Sequence, residues 1–181
     1  MKTIDLHQGL ESTLILLQNR FNKKPNRPAI EVNKQFGQLP KIECYPGQIN
    51  QVFINILGNA IEALDEKSQQ NDSFIPQIRI STELSELNST VIIRISDNGL
   101  GIPDHLQEHL FEPFFTTKPV GQGTGLGLAV SYQIIEKHKG KITCNSQVGI
   151  GTEFVIEIPI TLSHKTEQWS QVQWLRQAIG A

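Results

Sequence analysis

A chain of 181 residues, 38% of them hydrophobic, is long enough for one domain around a real apolar core. Sixteen basic residues against eighteen acidic ones leave a net charge of −2, which argues against nucleic acid or a membrane surface as a partner. Cys44 and Cys144 fit no metal or redox spacing and read as reduced, buried small hydrophobes. No apolar run approaches the roughly 20 residues of a membrane span, and no signal-peptide pattern opens the chain, so the expected compartment is the cytoplasm.

In chain order, residues 4–21 are predicted as an amphipathic helix, because Leu6, Leu10, Leu14, Leu17 and Phe21 recur at three- and four-residue steps. Lys23 to Pro28 is a polar, proline-bearing loop. Short strands are expected at 29–35 and 41–44, followed by a helix at 47–66 and a polar turn from Gln69 to Ser73. Two longer strands near 76–85 and 90–96 read as a hairpin. A helix at 125–139 and strands near 140–147 and 152–159 complete the pattern. This order predicts a two-layer α/β sandwich, with about three helices on one face of a mixed sheet of about five strands. Beyond it, Trp169, Val172, Leu175 and Ile179 form a short apolar stripe in the tail 160–181, which either docks on the domain, stays disordered or binds a partner.

The most telling residues are two asparagines, Asn55 and Asn59, inside the apolar run Val52 to Ile61. At i and i+4 they share one helix face. Burying an amide without a partner costs about 1–3 kcal/mol, so something polar must meet that face. Glu62 extends the same stripe, while Ile49, Val52, Phe53, Ile56, Leu57, Ala60 and Leu64 supply the core side. Further on, the apolar run Val91 to Ser96 ends in Asp97-Asn98-Gly99-Leu100-Gly101-Ile102-Pro103. Such a segment is either a plain turn or a carboxylate acceptor beside a closely approaching backbone, suited to an exocyclic amino group such as adenine's. The segment Gly121 to Val130 leads through Gly123, Thr124, Gly125, Leu126, Gly127 and Leu128 into a helix. A glycine loop at a helix N-terminus is an anion site, with phosphate the usual guest. Its spacing matches neither a P-loop nor a dinucleotide fingerprint. Between the two glycine segments, Phe111-Glu112-Pro113-Phe114-Phe115-Thr116-Thr117-Lys118 reads as a hydrophobic anchor for a mobile segment. Lys118 is either a phosphate-reaching cation or a solvated one.

Taken together, these segments resemble the ATP-binding catalytic domain of sensor histidine kinases, a branch of the superfamily shared with gyrase and mismatch-repair ATPases. The matching residues are the asparagine box (55–63), Asp97 to Gly101, the phenylalanine box (111–118), Gly123 to Leu128, and Gly149-Ile150-Gly151-Thr152-Glu153-Phe154. They fall in the family's order over about residues 48 to 159. The resemblance implies a Bergerat-type fold and Mg-ATP as the bound nucleotide. Asn59 would hold Mg²⁺, an ion that keeps several waters beside few protein oxygens. Asp97 would accept from the adenine amino group, with Gly99, Gly101 and Ile102 shaping the pocket and Thr152 reaching it through water. Gly123, Thr124, Gly125, Leu126, Gly127 and Leu128 would cradle the phosphates beneath a lid from Phe111 to Gly123.

In the ATP-hydrolysing relatives a glutamate stands four residues before the metal-binding asparagine. Here that place belongs to Asn55, and an amide is no general base at neutral pH. The implied reaction is transfer of the γ-phosphoryl group to a histidine, with Asn55, Asn59 and Lys118 as the catalytic set. None of His7, His105, His109, His138 and His164 lies in the family's phosphoacceptor context. The acceptor is therefore expected on a dimerising helical domain, upstream or in trans, with a response regulator downstream. Residues 1–26 read as the incoming helix and linker, 27–160 as the catalytic domain and 161–181 as a tail. A stand-alone ATPase, a serine/threonine kinase of the same superfamily and a nucleotide-sensing module are the alternatives.

Overall fold

The computed structural model describes residues 1–71, 73–85, 89–118 and 123–161. The tail stripe of Trp169, Val172, Leu175 and Ile179, His164, and Gly121 with Gln122 lie outside them.

The chain opens with a short strand β1 (Lys2–Ile4), then helix α1 (Leu6–Leu16) and a single turn α2 (Gln18–Phe21). Strands β2 (Glu31–Phe36) and β3 (Ile42–Cys44) precede the long helix α3 (Pro46–Gln70). Next come β4 (Gln77–Ser85), β5 (Thr90–Asp97), the one-turn α4 (Asp104–Gln107), α5 (Gly127–Lys137), β6 (Lys141–Gln147) and β7 (Gly151–Pro159). Five strands form one sheet in the order β2-β4-β5-β7-β6. The β2–β4 pair is parallel and the other pairs are antiparallel, so the sheet is mixed. The expected sandwich is what folds.

The first helix departs from expectation. Instead of running unbroken from residue 4, the chain begins as β1, paired antiparallel with β3 in a second, two-stranded sheet. Asp5 then caps α1 by accepting from the His7 backbone N–H at 3.0 Å. Its stripe was read correctly: Leu6, Leu10, Leu14 and Leu17 are buried. The strand was missed because three residues carry too little periodicity, and their partners lie some forty positions away.

Helix α3 is the spine. Pro46 sits at its start, where a missing N–H is harmless. Ile49, Val52, Phe53, Ile56, Leu57, Ile61 and Leu64 are fully shielded and pack against the sheet and the flanking helices. The helix continues one turn past the expected residue 66, through Lys67 and Ser68, whose Oγ donates to the Leu64 carbonyl at 2.7 Å. Strand alternation places Val91, Ile93 and Ile95 on the buried face of β5. Asp97 is next on that same face, at the strand's end, which brings a carboxylate to the edge of the core.

Candidate functional site

The register of the sheet aligns the site's floor. Asp97 on β5 pairs with Thr152 on β7, which pairs with Ser146 on β6. The Asp97 carboxylate accepts from the Gly99 backbone N–H at 2.8 Å and from the backbone of Thr152. Burial pushes its pKa up to about 6, against these hydrogen bonds and the nearby Lys67 charge, which pull it down. Ser146 is a hub that sequence reasoning missed. Its Oγ accepts from the Ile102 N–H (2.8 Å), meets the Thr152 hydroxyl (2.8 Å) and lies 2.9 Å from the Gly151 carbonyl. Thr152, 6% exposed, is therefore held in place beside Asp97.

The turn after Asp97 is clamped from three directions. Asn98 accepts from the Gln77 N–H (2.8 Å) and donates to the Ile75 carbonyl (3.0 Å). Lys67 on α3 spends its three ammonium protons on the carbonyls of Asn98 (2.7 Å), Gly99 (3.0 Å) and Gly149 (2.9 Å). Gly101 has φ +73°, and a Cβ there would lie 2.1 Å from the Gln147 carbonyl, so only glycine fits. Lys67 was also missed in the sequence, since a lysine near a helix end ordinarily reads as solvated.

On α3, the two asparagines part company. Asn55 Nδ2 donates to the Gly127 carbonyl (2.9 Å) and to Ser131 Oγ (3.1 Å), tying α3 to the first turn of α5. The Asn59 side chain, half-buried, makes no hydrogen bond to any described residue. The polar partner expected for this face is thus supplied to Asn55 by α5, while Asn59 keeps its amide available. Glu62, on the same stripe, pairs with Lys118 and lies 3.6 Å from Arg20 Nη2. Lys118, read as a phosphate-reaching or solvated cation, is in this structure an ion-pair partner.

The glycine segment does form a helix start. Gly125, at φ +62°, lies against the backbone of Phe114, and a Cβ there would come within 2.4 Å of it. Phe114 in turn donates its N–H to the Gly125 carbonyl at 2.9 Å. Thr124 Oγ1 accepts from Leu126 N–H at 3.3 Å, and among the described residues no side chain caps α5. The first N–H groups of α5, from Gly127 and Leu128 on, are thus left for an anion. Gly123 lies against Thr116 and Lys118. Of the three phenylalanines expected to anchor the segment, Phe111 packs on the core and on Tyr132 (5.5 Å), whereas Phe114 is 75% exposed.

Two of the histidines have packing roles. His138, at the end of α5, is fully buried. Its Nε2 accepts from the Tyr45 N–H (3.0 Å) and its Nδ1 donates to the Ile134 carbonyl (2.7 Å), so it is a packed strut at the helix end. His7 stacks on Phe36 at 4.5 Å and meets Thr82 Oγ1 at 2.8 Å. Cys44 is buried and Cys144 half-buried, both free, with the Cys144 thiol pushed up to about 12 by burial and the Asp97 charge.

Among the described residues, a recessed carboxylate, a helix N-terminus without a side-chain cap and an unpartnered amide offer one acceptor, a set of N–H donors and an amide oxygen. Residues 45–162 match the family of histidine kinase-, DNA gyrase B-, and HSP90-like ATPases. Sporulation kinase E of Bacillus subtilis (strain 168) is 42% identical over 84% of this chain and 19% of its own length. Sensor histidine kinase ZraS of Escherichia coli (strain K12) is 32% identical over 93% of this chain and 33% of its own. The solved catalytic domain of histidine kinase ThkA matches at 31% identity with a TM-score of 0.73, covering 91% of this chain and 100% of that one. The chain belongs to this ATPase family and, within it, to the histidine kinase catalytic domains. It spans about a fifth to a third of the length of the two curated relatives. No helix among the described residues is long and apolar enough to cross a membrane.

Proposed function

We propose that this chain binds Mg-ATP and transfers the γ-phosphoryl group to a histidine on a dimerising helical domain, upstream or in trans, in a two-component kinase located in the cytoplasm. A response regulator would receive the group next. The single observation that carries the reading is the state of Asn55. At the place where hydrolysing relatives would carry a base, its amide is committed to Gly127 and Ser131. An amide takes no proton at neutral pH, so water at that point would find no base.

The donor set suits Mg²⁺ held beside phosphate. Among the described residues no cluster of three His, Cys, Asp or Glu side chains can cage a metal, but Asn59 offers one free amide oxygen, and this ion takes its remaining oxygens from phosphates and water. Bound there, Mg²⁺ would neutralise charge on the transferring group. Asp97 accepts from the adenine amino group, with Thr152 and Ser146 beside it. The N–H groups at the start of α5 meet phosphate oxygens, and Asn55 fixes that helix start against α3. Phosphoryl transfer needs mainly positioning and electrostatic stabilisation, which these residues supply. The nucleophile comes from outside as a neutral imidazole.

To test this, the purified chain is loaded with Mg-ATP, freed of excess nucleotide and followed over time. Retained intact ATP is expected, then transfer of label to an added phosphoacceptor domain in an acid-labile, base-stable linkage. Many turnovers to ADP by the chain alone would make it an ATPase. An acid-stable label would make it a serine/threonine kinase.

A further inference from the structure

Successive residues of a helix are rotated by about 100°, so α3 presents the site in angular order. Ala63 lies on one flank, where a Cβ on Gly99 would touch its methyl at 2.9 Å, on the side of Asp97. Asn59 comes next, then Glu62, then Gly58. Groups beside Glu62 and Gly58 therefore lie on the flank of α3 turned away from Asp97. Two cations stand there, each from a different segment. Arg20 of α2 has Nη1 3.6 Å from the place a Cβ of Gly58 would take and Nη2 3.6 Å from Glu62 Oε1. Lys118 holds the other oxygen, Oε2, of the same carboxylate.

A carboxylate and a phosphate are read by the same donors, and a guanidinium fork suits both. One carboxylate between two half-exposed cations leaves one positive charge over. The backbone that carries Arg20 is also held in place. The buried guanidinium of Arg27 donates to the carbonyls of Arg20 (2.6 Å), Asn22 (3.2 Å) and Pro28 (2.8 Å), and it pairs with Asp65 of α3. The turn that carries Arg20 is thereby pinned to the helix that carries Asn59 and Glu62.

We propose that Arg20 is a phosphate-binding residue of this site: with Lys118 it takes the terminal phosphate of the nucleoside triphosphate, displacing Glu62, so that the segment leading into the domain discriminates triphosphate from diphosphate. This rests on the nucleotide reading above.

The test measures the affinities of Mg-ATP and Mg-ADP for the full chain and for Arg20→Gln, Arg20→Lys, Glu62→Gln and Lys24→Gln, with melting temperatures as a check on folding. Arg20→Gln is expected to weaken ATP roughly tenfold or more relative to ADP, the loss of a charge-assisted hydrogen bond. Arg20→Lys, which keeps the charge without the fork, should fall between. Glu62→Gln should raise the preference for ATP several-fold by removing the competing carboxylate. Lys24, on the same segment but bonded to Asp65 at 2.6 Å, serves as the control for charge alone. Equal losses of ATP and ADP in Arg20→Gln, or none, would overturn the assignment while leaving the nucleotide site intact. A parent chain that binds neither nucleotide would overturn both.

Discussion

Asn59 and Asn55 are the same residue type on the same helix face, yet the fold gives them opposite tasks. Asn55 is spent on Gly127 and Ser131, while Asn59 is left without a protein partner among the described residues. Asn59→Ala should therefore abolish the Mg²⁺ dependence of ATP affinity and leave the α3–α5 tie intact. Titrations with Mg²⁺ and with chelator decide it, and an undiminished dependence would remove Asn59 from the metal. Asp97 carries a second consequence. Its carboxyl titrates at about 6 in the folded chain against an ordinary 3.8. Between those values the native state holds the extra proton, so this group's contribution to stability falls as pH rises through the window, by on the order of 3 kcal/mol. Binding runs the other way, because the ionised carboxylate is the stronger acceptor for an adenine amino group. ATP affinity should climb as pH passes through about 6 and then level off, whereas Asp97→Asn should show weaker binding and a flat profile there. A parent chain whose affinity ignores pH in this range would take Asp97 away from the base.

Between residues and the whole stand the elements, and here the site depends on how α3 is tied to its surroundings. At its C-terminal end Lys67 converts the loose carbonyls of two turns, 98–99 and 149, into one rigid rim. Its ammonium also lies 4.8 Å from the centre of the Phe74 ring. Lys67→Met keeps the stem and removes the three donors. It should cost about 2 kcal/mol in urea unfolding, the range for hydrogen bonds to a charged group, and weaken adenine nucleotides as the Asp97 turn loosens. Full retention of both would mean that the rim stands without the lysine. On the flank of α3 that faces α2, the Arg27–Asp65 pair does for α2 what Lys67 does for the turns. Lys67 reaches distant backbone and Arg27 a distant carboxylate, so neither clamp leaves a periodic mark in the chain.

Over the molecule as a whole, the order of most elements, the buried stripe of α3, the apolar run of β5 and the spacing of the glycines were legible in the 181 residues, because helical periodicity, apolar runs and the needs of glycine are local properties. Those local properties determined that there is an α/β sandwich, that a helix carries a polar face, that an aspartate ends a strand, and that a glycine loop opens a helix. What each polar group meets was decided only by tertiary structure. That Asn55 joins Gly127, that Lys118 and Arg20 share Glu62, that Ser146 supports Thr152 and that residues 2–4 pair with 42–44 are contacts between segments far apart in the chain. Hydrogen bonds and ion pairs act over a few ångströms of space and take no account of sequence separation. A periodic sequence can therefore announce a face, but only the folded chain selects the partner that satisfies it.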